Sequence, residues 1–177
     1  ARAGVGGVKP RFIKIGVDKG PLPALSRKIV EAAALACVET GLPVCAHTGD
    51  GAAAEEELEI LTRRGVNPEK FGWVHAQNER EHAVHERVAA AGAWVGFDGI
   101  GPRTIDWHLQ CVRHMAGKGL LGRVLISQDA GWYRVGEPGG GAFRGYTEIF
   151  TGFVPRLAAG EAEQLLVKNP RAAFSAS

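Results

Sequence analysis

The stretch Arg11-Phe12-Ile13-Lys14-Ile15-Gly16-Val17 decides how the rest of the chain is read. Its alternation sets Ile13, Ile15 and Val17 on one face of a strand and Phe12, Lys14 and Gly16 on the other. A lysine in the middle of an apolar strand is expensive, because an ammonium buried without a partner costs several kcal/mol or more. Lys14 must therefore be neutralised, put to use or released to water.

The same unit recurs along the chain. Pro21 and Pro23 close a loop, and Ser26 is the expected N-cap of a helix. Ile29, Val30, Ala33, Ala34, Cys37 and Val38 carry its helical spacing as far as Gly41. Residues 43–48 predict a second strand, followed by a helix that contains Leu58 and Leu61 and closes at Gly65. Residues 71–76, 94–98 and 123–129 predict three more strands, with helices over 78–91 and 104–118 between them. A glycine-rich loop then leads to helical stretches around 146–159 and 161–167, with Asn169-Pro170 expected to break the chain. Five successive β-then-α units imply a parallel sheet with right-handed crossovers. No G-x-G-x-x-G turn follows a first strand, which favours a (β/α)8 barrel over an open dinucleotide-binding sheet. The expected architecture is a single α/β domain over residues 1–177.

The strand ends carry the chemistry. Lys14, His47, His75, Asp98 and Asp129 each fall near the C-terminal end of one of the five strands, the edge where such architectures collect catalytic groups. Any one of them alone reads as an ordinary solvated loop residue. Five with one parity at one rim point to a metal site. Two neutral imidazoles with a carboxylate suit zinc, manganese, iron or cobalt. Trp132 and Tyr133 open the glycine-rich loop and are candidates to line an apolar substrate pocket. His82 and His85, one helical turn apart, could hold a surface metal, but among Glu79, Arg80, Glu81 and Glu86 they read as solvated, as do His108 and His114.

A net charge of +2, evenly spread, gives no reason to expect nucleic acid or an anionic membrane surface as partner. No apolar run approaches the roughly 20 residues of a membrane helix. Cys37, Cys45 and Cys111 form no C-x-x-C pair and read as reduced thiols of a cytoplasmic protein.

The stretches FIKIGV (12–17), AHTGDG (46–51), WVHAQNE (73–79) and LISQDAGW (125–132), with the ending LLVKNPRAAF (165–174), resemble the phosphotriesterase family of the amidohydrolase superfamily. The resemblance implies a TIM-barrel hydrolase with two divalent metals, typically zinc, bridged by a hydroxide and a carboxylated lysine at Lys14. It places His47 and His75 on one metal and Asp129 on the other, with Asp129 also taking the proton from the attacking hydroxide. The implied substrate is a small lactone, carboxylic ester or phosphoester, with Asp98, Trp132 and Tyr133 as its contacts.

The sequence also departs from the family pattern. It has no His-x-His pair, and five βα units stand where a closed barrel of about 250 residues has eight. The expectation is a C-terminal part of a barrel with impaired activity, its N-terminal units missing or supplied by a second chain; a homo-oligomer is the other expected assembly. Asn78 and Gly99 occupy positions where the resemblance implies an acidic residue and a histidine in a proton relay. Two alternatives remain open: a Schiff-base enzyme that uses Lys14 as nucleophile, and a non-catalytic partial barrel that associates through its sheet edges.

Overall fold

Five parallel strands form one sheet in the order in which they occur along the chain, in a computed structural model that describes residues 4–175. Strand β1 (Ile13–Val17) leads to helix α1 (Ala24–Thr40), β2 (Val44–Thr48) to α2 (Gly51–Arg63), and β3 (Phe71–Val74) to α3 (His82–Ala90). Then come β4 (Trp94–Phe97), α4 (Ile105–Gly117) and β5 (Val124–Ile126). Every neighbouring pair is parallel, which requires a crossover between strands, and each of the four crossovers contains one of these helices. This is the α/β arrangement expected of five units of a (β/α)8 barrel.

The core lies between the sheet and its helices. Val44, Ala46, Phe71, Trp73, Val95, Phe97 and Val124 alternate along β2 to β5, face that layer and are buried. On the opposite face Lys14, Gly16, His47 and Ser127 are exposed. The predicted cost of burying Lys14 therefore does not arise in this chain. Its ammonium is solvated and donates to its neighbour's carbonyl, Ile15 O, at 3.0 Å.

Three local expectations need correction. Ser26 lies inside α1, whose N-cap is Pro23, with no side-chain hydrogen bond at that end. The fifth strand keeps only Val124–Ile126, because the chain turns away before Asp129, whose φ is 44°. Asn169-Pro170 does not break the chain but lies inside a continuous helical run from Glu161 to Phe174, in which the residues before it, Gln164–Lys168, are wound as a π-helix. Buried Asn169 ties this run to the sheet, donating through Nδ2 to Leu121 O (2.8 Å) and Val124 O (2.6 Å). Among the described residues no helix is long and apolar enough to cross a membrane.

Candidate metal centre

Parallel strands in matched register bring their C-terminal ends to one level, and the side chains emerging there meet across a short distance. Gly16 is paired with His47, and His47 with Val74, the residue before His75. The His47 and His75 rings stand edge to face, with centroids 4.3 Å apart. Lys14, His47, His75, Asp98, Asp129 and Trp132 line one cleft of about 520 Å³. Ligand atoms of His75, Asp98 and Asp129 all lie within 4.8 Å of one another.

The three groups do not play equal parts. Asp98 is buried and its carboxylate is already engaged. Oδ1 faces His75 Nδ1 at 2.5 Å and accepts from Gln77 Nε2 at 2.9 Å, while Oδ2 accepts from the His75 backbone N–H at 2.7 Å. Gln77 Oε1 in turn accepts from the Asp98 N–H at 3.0 Å. The contacts of Asp98 fix the ring of His75 and leave the other imidazole nitrogen, Nε2, as that residue's free donor.

His47 is exposed, yet its pKa lies below the ordinary imidazole value, first through partial desolvation and then through the positive charge of His75 and Lys14. The lone pair a cation needs is therefore favoured at His47. His75 (φ 69°) and Asp129 (φ 44°) both have left-handed backbone, sparsely allowed for side-chain-bearing residues but visited by His and Asp more readily than by most. His75 directly follows β3 and Asp129 lies three residues beyond β5, and both side chains line the cleft. The Asp129 loop is held by Arg144, which donates to Gln128 O at 2.5 Å and also to Asp129 O. Trp132 lines the cleft and returns its indole N–H to Asp129 O at 2.9 Å. Tyr133, the other expected substrate contact, lies against Gly140, where an added Cβ would come within 2.3 Å of its ring.

The sequence model described as "Phosphotriesterase family" matches residues 3–174. The chain belongs to the phosphotriesterase family. It is 28% identical over 169 residues to the phosphotriesterase homology protein of Escherichia coli, covering 91% of this chain and 57% of that protein. It is likewise 28% identical over 178 residues to the phospho-furanose lactonase of Mycoplasmopsis synoviae, covering 92% and 50% respectively. The crystal structure of the Escherichia coli protein, with phosphate in its active site, superposes with a TM-score of 0.82 at 26% identity, over 95% of this chain and 60% of that one. The chain thus spans about half the length of the curated relatives it matches.

Within this phosphotriesterase-family chain several residues escape a reading of the sequence. Gln77 and Arg144 act through backbone and carboxylate contacts that no local pattern announces. The expectation that the helix histidines are solvated also needs correction, because His85 and His108 are buried. His85 Nε2 meets Ala76 O at 2.8 Å and His108 Nε2 meets Asp98 O at 2.6 Å. Their imidazoles tie α3 and α4 to the carbonyls of Ala76 and Asp98, where the chain leaves β3 and β4. A signal was available: His85-Val88-Ala89 and His108-Cys111-Val112-Met115 follow the spacing of a buried helix face.

Proposed function

We propose that this chain contributes to the active site of a metal-assisted hydrolase that cleaves a small lactone, carboxylic ester or phosphoester. The observation that carries this reading is the meeting of His47, His75 and Asp129 in one cleft at the strand ends, with Asp98 behind His75. The donor set fits a divalent cation. His47 favours its neutral form, His75 is held in one orientation by a carboxylate, and the Asp129 side chain is exposed at the same rim.

His47 and His75 would hold the cation, with Lys14 beside them as a further ligand if its amine takes up carbon dioxide and becomes anionic. A divalent cation of the zinc class lowers the pKa of a water to near neutrality and polarises the oxygen of the bond to be cleaved. Asp129 takes the proton of the attacking water. Asp98 keeps His75 from rotating, and Trp132 offers an apolar wall to the substrate. Asn78 and Gly99, also at the cleft, cannot carry that proton onward. This disfavours efficient organophosphate hydrolysis, leaves lactones and other esters as the substrates, and implies impaired turnover in the chain by itself.

The test is a panel of lactones, aryl esters and phosphotriesters assayed with the purified chain, with and without added zinc, manganese or cobalt. Metal-dependent hydrolysis that chelation abolishes and Asp129→Asn lowers at least about 100-fold is expected. Turnover that survives exhaustive chelation, or is unchanged in Asp129→Asn, overturns the proposal.

A further inference from the structure

On the helix side of the sheet, away from the rim, three metal-ligating side chains converge where α3 packs on α4. His82 and His85 project from α3, three residues apart, and buried Cys111 faces them from α4. One ligand atom from each lies within 4.8 Å of both others, and the two Nδ1 atoms are 3.5 Å apart. In a tetrahedral zinc site with Zn–N bonds of about 2.0–2.1 Å, neighbouring nitrogens stand about 3.3–3.4 Å apart. The imidazole pair already stands close to that spacing, with a Cys111 ligand atom in the same cluster.

The surrounding contacts hold both rings. His85 Nε2 spends its hydrogen on Ala76 O at 2.8 Å, which leaves the lone pair on Nδ1, the nitrogen that faces His82. The His85 ring is flanked by Trp73 at 5.4 Å and Phe97 at 5.1 Å. His82 is stacked between Trp107 (5.1 Å, 17°) and His114 (4.4 Å, 15°), and His114 is anchored to Glu86 at 2.6 Å. Both rings are thus held in place, and with the His82 proton on Nε2 both Nδ1 lone pairs face one point.

We propose that His82, His85 and Cys111 form a structural site for a zinc-class cation that clamps α3 to α4, distinct from the cleft at the strand ends. The donor chemistry supports it. Burial pushes His85 down to about 4, so it is the neutral ligand form at physiological pH, and pushes the Cys111 thiol up to about 12, so a thiolate there needs a cation beside it. Two imidazoles with one thiolate select zinc or cobalt over magnesium or calcium, which require oxygen donors. Binding releases the Cys111 proton to solvent as the metal–sulphur bond forms, and His82, only partly buried, marks the entry side. The site lies one contact behind the turn that carries His75. Ala76 O is held by His85, and Gln77 O accepts from Trp107 Nε1 at 2.9 Å, so an occupied clamp stiffens that turn.

Cobalt(II) is the probe, because a cysteine ligand gives it a thiolate-to-metal charge-transfer absorption that the sulphur-free donors of the rim cannot produce. The metal-stripped, reduced chain is titrated with cobalt. The band should saturate at one equivalent, be displaced by zinc, disappear in Cys111→Ala, and persist in Cys45→Ala and His47→Asn. His82→Asn, at the partly exposed first turn of α3, should weaken cobalt binding at least about 100-fold and serves as the deciding variant if Cys111→Ala does not fold. A folded chain without the band at saturating cobalt overturns the site. So does a band that survives Cys111→Ala, or cobalt affinity unchanged in His82→Asn.

Discussion

Glu57 is fully buried on α2 beneath β2, and replacing it with glutamine should stabilise the chain by an amount that grows with pH. Burial lifts its carboxyl from 4.5 to about 8, opposed by the Thr48 hydrogen bond and by the charge of Lys14. The contacts agree with a protonated acid. Thr48 Oγ1 lies 2.7 Å from Glu57 Oε2 and 3.1 Å from Ala46 O, and one hydroxyl hydrogen cannot serve both. If Glu57 donates to Thr48 Oγ1 and Thr48 donates to Ala46 O, both bonds are made, and Oε1 remains the one oxygen without a partner.

Because the folded value lies above the unfolded one, the native state holds the proton more tightly. The stabilisation from that proton is complete below pH 4.5 and is lost as the pH rises through 8. At about 1.4 kcal/mol per pH unit, the loss is about 3 kcal/mol at pH 7 and about 5 kcal/mol above pH 8. That is a large share of the roughly 5–15 kcal/mol that holds a domain folded. An amide cannot ionise and can still donate to Thr48, so Glu57→Gln should escape the loss. Urea unfolding of both proteins with chelator present, at pH 5, 7 and 8.5, measures the difference. It should be about 1 kcal/mol or less at pH 5 and widen in favour of the variant to several kcal/mol at pH 8.5. A difference that stays flat across this range refutes the assignment of a neutral, buried Glu57.

Substitutions at two further positions probe the backbone around the site. Gly96→Ala would bring a Cβ to 2.9 Å from Trp73 O, a backbone atom of the neighbouring strand that cannot swing aside. It should cost roughly 1–3 kcal/mol in thermal or urea unfolding, and a neutral result would mean that β3 and β4 separate more easily than their pairing implies. At His75, asparagine tolerates the left-handed backbone and valine does not. His75→Val should therefore be less stable than His75→Asn by about 1–2 kcal/mol in the same assay, and equal stability would remove the conformational argument.

The architecture was legible because each strand is a short run with two-residue alternation and each helix is closed by a glycine or a turn. Lys14, His47, His75, Asp98 and Asp129 could be placed at one rim by parity alone, without knowledge of side-chain contacts. How those residues divide the work was not legible. That Asp98 supports His75 depends on a contact spanning 23 positions, and the grip of Arg144 on the Asp129 loop spans 15. The buried histidines were misread for a different reason. The charged neighbours of α3 suggested a solvated helix, but burial follows the face a residue occupies rather than the average polarity of its segment. Lys14 misled in the opposite direction, since a strand's apolar pattern says which face is covered and not whether anything covers the other.

The positive φ values at His75 and Asp129 bear on how this site can change in descent. At such turns the backbone itself admits a short menu, chiefly Gly, Asn, Asp and His, whatever the chemistry asks. Should selection for activity lapse, drift at these two positions would stay among residues that still offer polar atoms to the rim, and would return to a ligand by few steps. Lys14 and His47 have no such guard, because both lie in regular strand. Loss of function in this lineage would be written first in β1 and β2, and last at the two turns.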